Sequence, residues 1–201
     1  MKIRPVTLEG AYVRLESLRA DHADGLVAAG TGHGLFRFFP FSLETEAEMR
    51  AFVAASVEGL AKGTVLPFAT IDRASWRIVG SSSYLAIEPA HKRLEVGATW
   101  ITPSHQRSPV NTEAKLLQLT HCFEALGCNR VEFKTDARNA QSRAALARIG
   151  AVEEGTFRAH MVMPDGALRN SVYFSVIASE WPRVKQGLVD KLGRNGPGVR
   201  A

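Results

Sequence analysis

The stretch from Gln106 to Asn111, QRSPVN, combines residue types that can hold an anion with a position where proteins often hold one. It follows a strand-like run and opens a helix, and the first turn of a helix offers unpaired N–H groups and a partial positive charge. Arg107 adds a cation and Ser108 a hydroxyl donor, whereas Asn111 or Thr112 would cap the helix. These residues favour a phosphate at this turn.

Two residues of the same turn oppose an anion. Pro109 has no N–H to donate, and Glu113 brings a carboxylate into the first turn of the helix, where it would compete with a phosphate. Because most helix starts hold no ligand, the residues alone leave an anion site and a plain surface turn as equal alternatives.

Few other side chains suggest chemistry on their own. His160 lies on an alternating, strand-like run and titrates near neutral pH, although a lone histidine there is more often structural. Cys122 falls on the apolar face of a helix and Cys128 has no base beside it, so neither is expected to act as a nucleophile. Without a CxxC pair or histidines at ligand spacing, the sequence predicts neither a disulfide framework nor a metal site.

The composition is typical of one globular domain. With 201 residues and 45% hydrophobic content, the chain predicts a domain over residues 1–192 and a flexible, glycine-rich tail over residues 193–201. The polar start predicts no signal peptide and no apolar run is long enough for a membrane span, so a cytoplasmic protein is expected. The net charge of +5 is scattered, and no aromatic and basic pattern for nucleic acid accompanies it.

The order of periodic segments predicts an α/β protein with a mixed sheet. Three strand-like runs with short connections form an antiparallel meander. The strands before Pro103 and after Gly127 are joined through a helix, so they should run parallel. With an early strand and a final hairpin that turns at residues 164–166, these segments predict a central sheet of about seven strands with flanking helices.

The same order of elements, together with its residues, resembles the GNAT acyl-CoA N-acyltransferases in their RimJ/RimL-like branch. The segments VRLESL, LEVGATWITPSHQ, GCNRVEFKTDARNAQSRAALARIGAVEEGTFR and MPDGALRNSVYFSVIASEW are similar to family segments in the same order. The turn before the family's long helix reads Gln or Arg, two variable residues, Gly, one variable residue, then Gly or Ala. Gln106 matches the first position, whereas Pro109 and Asn111 stand in place of the glycines.

The resemblance implies the GNAT fold and acetyl-CoA as cosubstrate, without a metal. The pyrophosphate would lie on the turn before the long helix, and the pantetheine arm beside the helix that starts near Asn139. Asn139 also has a purely structural explanation as the cap of that helix. The residues implied to contact acetyl-CoA are Trp100, Ile101, Thr102, Gln106, Arg107, Ser108, Val110, Asn111, Thr112, Asn139, Ser142 and Arg143.

The resemblance also implies a catalytic base. An amine arrives mostly protonated at neutral pH, so a group must take its proton before attack. Glu95 is the candidate because similar enzymes use a glutamate on this strand. Its alternative role is an ion pair with Lys92 or Arg93 at a strand edge.

Two further groups are implied to act on the thioester. Ser142 lies where similar enzymes carry a Ser or Tyr that can protonate the leaving thiolate, and its alternative role is to complete a capping turn. A backbone N–H within residues 99–101 would stabilise the oxyanion, as on the corresponding strand of the family.

On the acceptor side, the aromatic loop LFRFFPF resembles the family segment that walls the acceptor site. Phe38 and Phe39 are the implied substrate contacts, and a place in the core is their alternative. His160 is a further substrate contact and the second candidate base. The family's ribosomal-protein acetyltransferases carry a glutamate near this point, where this chain has RAHMVM.

The resulting prediction is an N-acetyltransferase that transfers an acetyl group from acetyl-CoA to a primary amine, of a small molecule or a protein N-terminus, by direct attack in a ternary complex. One alternative is a CoA-binding protein of the same fold with weak or lost catalysis, and a weaker one is a basic nucleic-acid-binding or protein-binding module. The amine acceptor is the expected partner, and a homodimer is compatible with the sequence.

Overall fold

The protein is built around one mixed sheet of eight strands, and a computed structural model describes residues 1–194. The strands are β1 (Thr7–Glu9), β2 (Val13–Ser17), β3 (Leu66–Asp72), β4 (Ile78–Glu88), β5 (Arg93–Ile101), β6 (Arg130–Asp136), β7 (Val152–Val162) and β8 (Leu168–Ile177). They lie in the order β1-β2-β3-β4-β5-β6-β8-β7. Neighbouring strands are antiparallel, apart from β5 and β6.

Helices cover the sheet, and local sequence signals start several of them. Thr45 and Glu48 form a reciprocal capping box, and Ser108 and Asn139 each accept an N–H from the first turn that follows. The α-helices are α1 (Ala23–Gly30), α2 (Glu46–Ala61), α3 (Pro109–Thr120), which continues as a π-helical turn (His121–Ala125), α4 (Ala140–Arg148) and α5 (Trp181–Arg194).

The parallel strands β5 and β6 pair briefly and then diverge. Their register ends at Glu95 and Glu132, although both strands continue beyond these residues. A β-bulge lies just past this point, where Ala98 and Thr99 of β5 together face Ser82 of β4, and Ala98 adopts a φ of 48°. Bulges bend a strand and leave one residue without a ladder partner, so this one accentuates the opening between the strands.

Two hydrophobic cores hold the helices to the sheet. The larger core packs β-strand residues against α3, α4 and α5, and the smaller one packs α1 and α2 against the sheet around Trp100. Phe39 and Phe41 of the aromatic loop pack partly buried against the smaller core. The loop is thereby held beside β5.

The predicted meander, parallel strand pair and final hairpin are confirmed. The sheet has one strand more than predicted because β1 has only three residues, too few to show an alternating pattern. Helix α5 continues to Arg194, past the predicted boundary at residue 192, and the rest of the predicted tail lies outside the described residues. Within residues 1–194, no helix is both long and apolar enough to cross a membrane.

Candidate active site

The divergence of β5 and β6 opens a cavity of about 520 Å³. Residues from Glu95 to Ile101 of β5, residues 133–135 of β6 and the start of α4 form its walls. The turn before α3 and the aromatic loop line the same cavity. One space therefore connects the predicted anion turn, the candidate base and the predicted acceptor wall.

The turn before α3 presents a cation to this cavity. Gln106 ties the turn to both walls, because its Nε2 donates to the carbonyl of Ile101 at 3.1 Å and its Oε1 accepts from Gln141 at 3.1 Å. Arg107 is exposed, lines the cavity and adopts a left-handed φ of 59°. It makes no ion pair with any residue in 1–193, so its guanidinium can bind an anion.

Ser108, rather than Asn111 or Thr112, caps α3, which corrects the predicted cap. The Ser108 hydroxyl accepts the N–H of Val110 at 3.3 Å. Pro109 is the first helical residue, a position that suits proline because its missing N–H would have no partner there. The hydroxyl of Ser108 is therefore engaged with its own helix.

Glu113 does not face the anion turn, so the predicted competition with a phosphate is wrong. Its carboxylate is buried and accepts the N–H groups of Ala11, Tyr12 and Val13 at 2.8, 2.6 and 2.7 Å, respectively. The first turn of α3 is thereby anchored to the connection between β1 and β2.

The implied acetyl-CoA contacts divide into two groups. Thr112 and Arg143 are engaged elsewhere, since Thr112 accepts a hydrogen bond from Arg148 at 2.9 Å and Arg143 pairs with Glu153 at 3.1 Å. The contacts that line the cavity are Trp100, Ile101, Gln106, Arg107, Asn111, Asn139 and Ser142. Those that do not line it are Thr102, Ser108, Val110, Thr112 and Arg143.

Asn139 and Ser142 combine a structural role with a place on the cavity wall. The Asn139 Oδ1 accepts the Ser142 N–H at 3.0 Å, so the capping explanation of Asn139 is confirmed. The Ser142 backbone completes the cap, and the Ser142 hydroxyl makes no hydrogen bond within residues 1–193. That hydroxyl is available to a ligand in the cavity.

Glu95 is a buried carboxylate on the cavity wall. It is 4% exposed, and its Oε2 lies 3.0 Å from Nζ of Lys134 on β6. It pairs with neither Lys92 nor Arg93, which corrects the predicted alternative; Arg93 instead lies 3.4 Å from Glu132. The carboxylate thus faces the gap between the diverging strands.

His160 lies on β7, near this ion pair but outside the lining of the cavity. Its Nδ1 is 3.0 Å from the Ser171 hydroxyl. Desolvation and the positive charges of Lys134 and Arg169 lower the pKa of His160, and the charge of Glu95 opposes this change. Because its ordinary pKa is about 6.5, the imidazole is mostly neutral at neutral pH and can accept a proton.

The aromatic loop lines the cavity, and a buried arginine fixes it in place. Phe38 and Phe39 both line the cavity. Arg169 of β8 donates from Nη1 to the carbonyl of Phe38 at 3.1 Å. Arg169 is not among the predicted site residues, although it shares the inward face of β8 with Ser171 and is 4% exposed.

Lys115 is a second cavity residue that is not among the predicted site residues. It is 4% exposed, lines the cavity and donates to Thr99 Oγ1 at 2.8 Å and Gln118 Oε1 at 3.0 Å. Burial lowers the pKa of Lys115 from 10.5 to about 7. Its position four residues before Leu119, on the buried face of α3, was the available signal.

Three polar side-chain atoms that are buried without a hydrogen-bond partner belong to residues that line this cavity. They are Nε1 of Trp100, Oδ1 of Asn111 and Nε of Arg169. Buried polar groups are nearly always hydrogen-bonded, so the wall of this cavity is unusual in carrying three unpaired ones.

The family of the chain follows from a match between residues 13–152 and the family model described as the acetyltransferase (GNAT) domain. This match spans more than half of the chain. The chain belongs to the GNAT acetyltransferase family. It is therefore an N-acetyltransferase by family, and its mixed sheet with flanking helices has the GNAT fold.

Individual relatives agree with this assignment. The crystal structure of a GCN5-related N-acetyltransferase from Brucella melitensis is 34% identical, with a TM-score of 0.88, and the match covers 98% of this chain and 88% of that one. Mycobacterium smegmatis RimJ, solved in complex with CoA-disulfide, has the same fold at 23% identity, a TM-score of 0.81 and coverage of 94% and 97%. These structures support the GNAT fold.

A curated relative matches over a shorter stretch. It is the provisionally named ribosomal N-acetyltransferase YdaF of Bacillus subtilis (strain 168), 31% identical over 104 residues, which is 52% of this chain. The match spans 56% of the length of that relative. The match to YdaF over this stretch agrees with the assignment to the acetyltransferase family.

The pKa of Lys115 leads to a test of its buried position in this acetyltransferase. Above about pH 7 the folded chain loses a proton that the unfolded chain keeps up to about pH 10, so stability should rise with pH in this window. Relative to Lys115→Met, the free energy of unfolding of the natural protein should rise by about 1.4 kcal/mol per pH unit. Urea unfolding of both proteins across this window measures the difference.

The matched control is Lys62→Met, at an exposed lysine that pairs with Glu58 on α2. Its difference from the natural protein should stay flat across the same pH range. A flat difference for Lys115→Met as well would show that the buried amine keeps its ordinary pKa.

Proposed function

We propose that this acetyltransferase transfers an acetyl group from acetyl-CoA to a primary amine by direct attack in a ternary complex. The observation that carries the proposal is the single cavity that joins the anion-binding turn before α3 to the buried carboxylate of Glu95. An anionic donor molecule at the turn and an amine acceptor at Glu95 can therefore share one space.

The residues of the cavity fit acetyl-CoA. Arg107 has no ion-pair partner within residues 1–193. Pro109 has no N–H and the N–H of Val110 is bound by the Ser108 hydroxyl, so the amides of α3 that follow Val110 are the donors offered to a pyrophosphate. The unpaired Oδ1 of Asn111 and the free hydroxyl of Ser142 can bind polar groups of the pantetheine arm. When bound, acetyl-CoA supplies the acetyl group as an activated thioester.

The residues of the chain then have distinct roles. Glu95 takes the proton of the incoming ammonium group, directly or through water, with His160 as the alternative base. The bulge at Ala98 and Thr99 frees backbone N–H groups from the ladder beside the cavity, where one can stabilise negative charge on the carbonyl oxygen. The Ser142 hydroxyl is the candidate proton donor to the leaving thiolate.

The acceptor is a small molecule or a protein N-terminus. The relative YdaF is named for ribosomal N-acetylation, which keeps a ribosomal protein among the candidate acceptors. The cytoplasm remains the proposed location, and both cysteines of the described chain are free and buried.

A CoA-binding protein with weak or lost catalysis is the second candidate function. It is favoured by the ion pair between Glu95 and Lys134, which occupies the carboxylate that would act as base. The two functions separate in one series of measurements. Acetyl-CoA should raise the melting temperature in both cases, whereas release of free CoA thiol in the presence of a panel of amines requires catalysis. If acetyl-CoA does not change the melting temperature, both functions are wrong.

Substitution of Arg107 tests the anion-binding turn. Arg107→Ala should weaken acetyl-CoA binding about tenfold, because a charged donor to the pyrophosphate is lost. The loss should shrink as salt concentration rises, since the side chain is exposed. Isothermal titration of acetyl-CoA at low and high ionic strength measures both effects.

Arg143→Ala is the comparison for this substitution. Arg143 was also implied to contact acetyl-CoA, but it pairs with Glu153 and does not line the cavity. Its substitution should change the dissociation constant about twofold or less. An equal loss of acetyl-CoA affinity in both variants would show that the pyrophosphate does not bind at the turn before α3.

A further inference from the structure

Arg169 is a buried guanidinium on the cavity wall with unused hydrogen-bonding capacity. It is 4% exposed, and within residues 1–193 its only hydrogen bond runs from Nη1 to the carbonyl of Phe38, at 3.1 Å. Its Nε is buried and has no partner. A guanidinium carries five N–H donors in a rigid fork, and Nη2 makes no hydrogen bond within residues 1–193, so its two N–H groups remain for a ligand.

No carboxylate within residues 1–194 forms an ion pair with Arg169. The acidic groups whose charges act on it are Asp136 and Glu95, and each is already paired, Asp136 with Arg138 at 2.8 Å and Glu95 with Lys134 at 3.0 Å. Burial lowers the pKa of Arg169. A buried cation without a paired anion is costly, so an anion supplied by a ligand would offset this cost.

The position of Arg169 is on the acceptor side of the cavity. Its hydrogen bond to Phe38 joins it to the aromatic loop, and its charge interacts with that of Glu95, the proposed base. The loop contact holds Nη1 in place, so the remaining N–H groups are oriented before a ligand arrives. Arginine binds carboxylates through two parallel hydrogen bonds, and a fixed fork suits this geometry.

We propose that Arg169 binds a carboxylate of the acceptor, so that the substrate is an amine that also carries a carboxylate. This inference rests on the proposed N-acetyltransferase function and names the class of its acceptor. The amine would lie at Glu95 and the carboxylate at Arg169. Free amino acids and peptides with an acidic side chain near the N-terminus share this chemistry.

The experiment compares acceptors that differ only in the carboxylate. Free amino acids are paired with their carboxamides, and peptides with aspartate as second residue with the same peptides carrying asparagine. The full chain and acetyl-CoA are used, and thiol release is measured. In one of these two sets of acceptors, kcat/KM should be at least about tenfold higher for the acceptor with the carboxylate than for its amide partner. The set with the larger ratio identifies the source of the carboxylate.

The variant Arg169→Met should bring this ratio to about one. A ratio between two substrates of one variant cancels any general loss of activity, including loss caused by a displaced aromatic loop. Arg138→Met is the matched control, since Arg138 pairs with Asp136 and is more than half exposed. The control should keep the ratio of the natural protein.

Two results would overturn the inference: a ratio near one in both sets for the natural protein, or an unchanged ratio in Arg169→Met. The second result would assign Arg169 only to holding the carbonyl of Phe38. Failure of the proposed function gives a different result, because no amine of either kind would then release thiol.

Discussion

Glu113→Ala should destabilise the protein by about 4 kcal/mol, because the substitution leaves three buried or partly buried N–H groups without an acceptor. Hydrogen bonds to a charged group contribute about 1.5 to 3 kcal/mol each, and the loss is smaller than their sum because water can reach part of the loop. Urea unfolding at neutral pH measures the change.

Glu58→Ala is the control, since Glu58 pairs with Lys62 on the exposed surface of α2. It should cost less than about 1 kcal/mol. If Glu113→Ala costs no more than this control, the connection between β1 and β2 does not depend on the carboxylate.

Gly10 provides an independent test of the same contact. A Cβ at position 10 would overlap with Cδ of Glu113, so Gly10→Ala must displace the carboxylate or the loop. We expect a loss of about 2 kcal/mol or more. The double variant, Gly10→Ala with Glu113→Ala, should lose less free energy of unfolding than the sum of the two single losses, because both substitutions remove the same contact.

Glu113 also illustrates what a sequence can and cannot predict about a site. The helix that contains it was predictable, since Leu116, Leu119 and Cys122 recur at helical spacing. The direction of the carboxylate was not, because its partners lie about 100 residues earlier in the chain. A residue that is in the first turn of a helix can face either the ligand or the fold, and only the packing decides which.

Other differences between the predicted and the observed site have local causes, and the sequence contained their signals. The pair Ser108 and Pro109 marks a cap followed by the first helical residue, which is a stronger signal than Asn111 or Thr112. Lys115 and Arg169 were missed for the opposite reason. A charged residue at a core position of a helix or strand is an exception to the hydrophobic pattern. Its role depends on the cavity that it faces, which the pattern does not show.

The partner of Glu95 shows the same limit at the candidate base. Sequence neighbours suggested Lys92 or Arg93, but Arg93 lies beside Glu132 of β6, and Glu95 instead meets Lys134 across the gap to β6. The parallel pairing of the two strands was predictable. The point at which the pairing ends was not, since it depends on the bulge at Ala98 and Thr99.

Glu95→Gln should lower kcat by about 100-fold or more, because glutamine cannot take the proton of the attacking ammonium group. Thiol release at saturating acetyl-CoA measures kcat, and titration with acetyl-CoA should give an unchanged dissociation constant. Since the substitution also leaves Lys134 without its partner, Lys134→Met is needed to separate the two effects. That variant keeps the carboxylate and should retain most of the activity.

Glu132→Gln is the matched control for the base. Glu132 is the register partner of Glu95 on β6 and forms ion pairs with Arg93 and Arg130, yet it does not line the cavity. Both substitutions remove one negative charge at the same level of the sheet, so a general electrostatic effect would lower both rates equally. A loss confined to Glu95→Gln assigns the proton transfer to that carboxylate, whereas full activity of Glu95→Gln would move the role to His160 or to water.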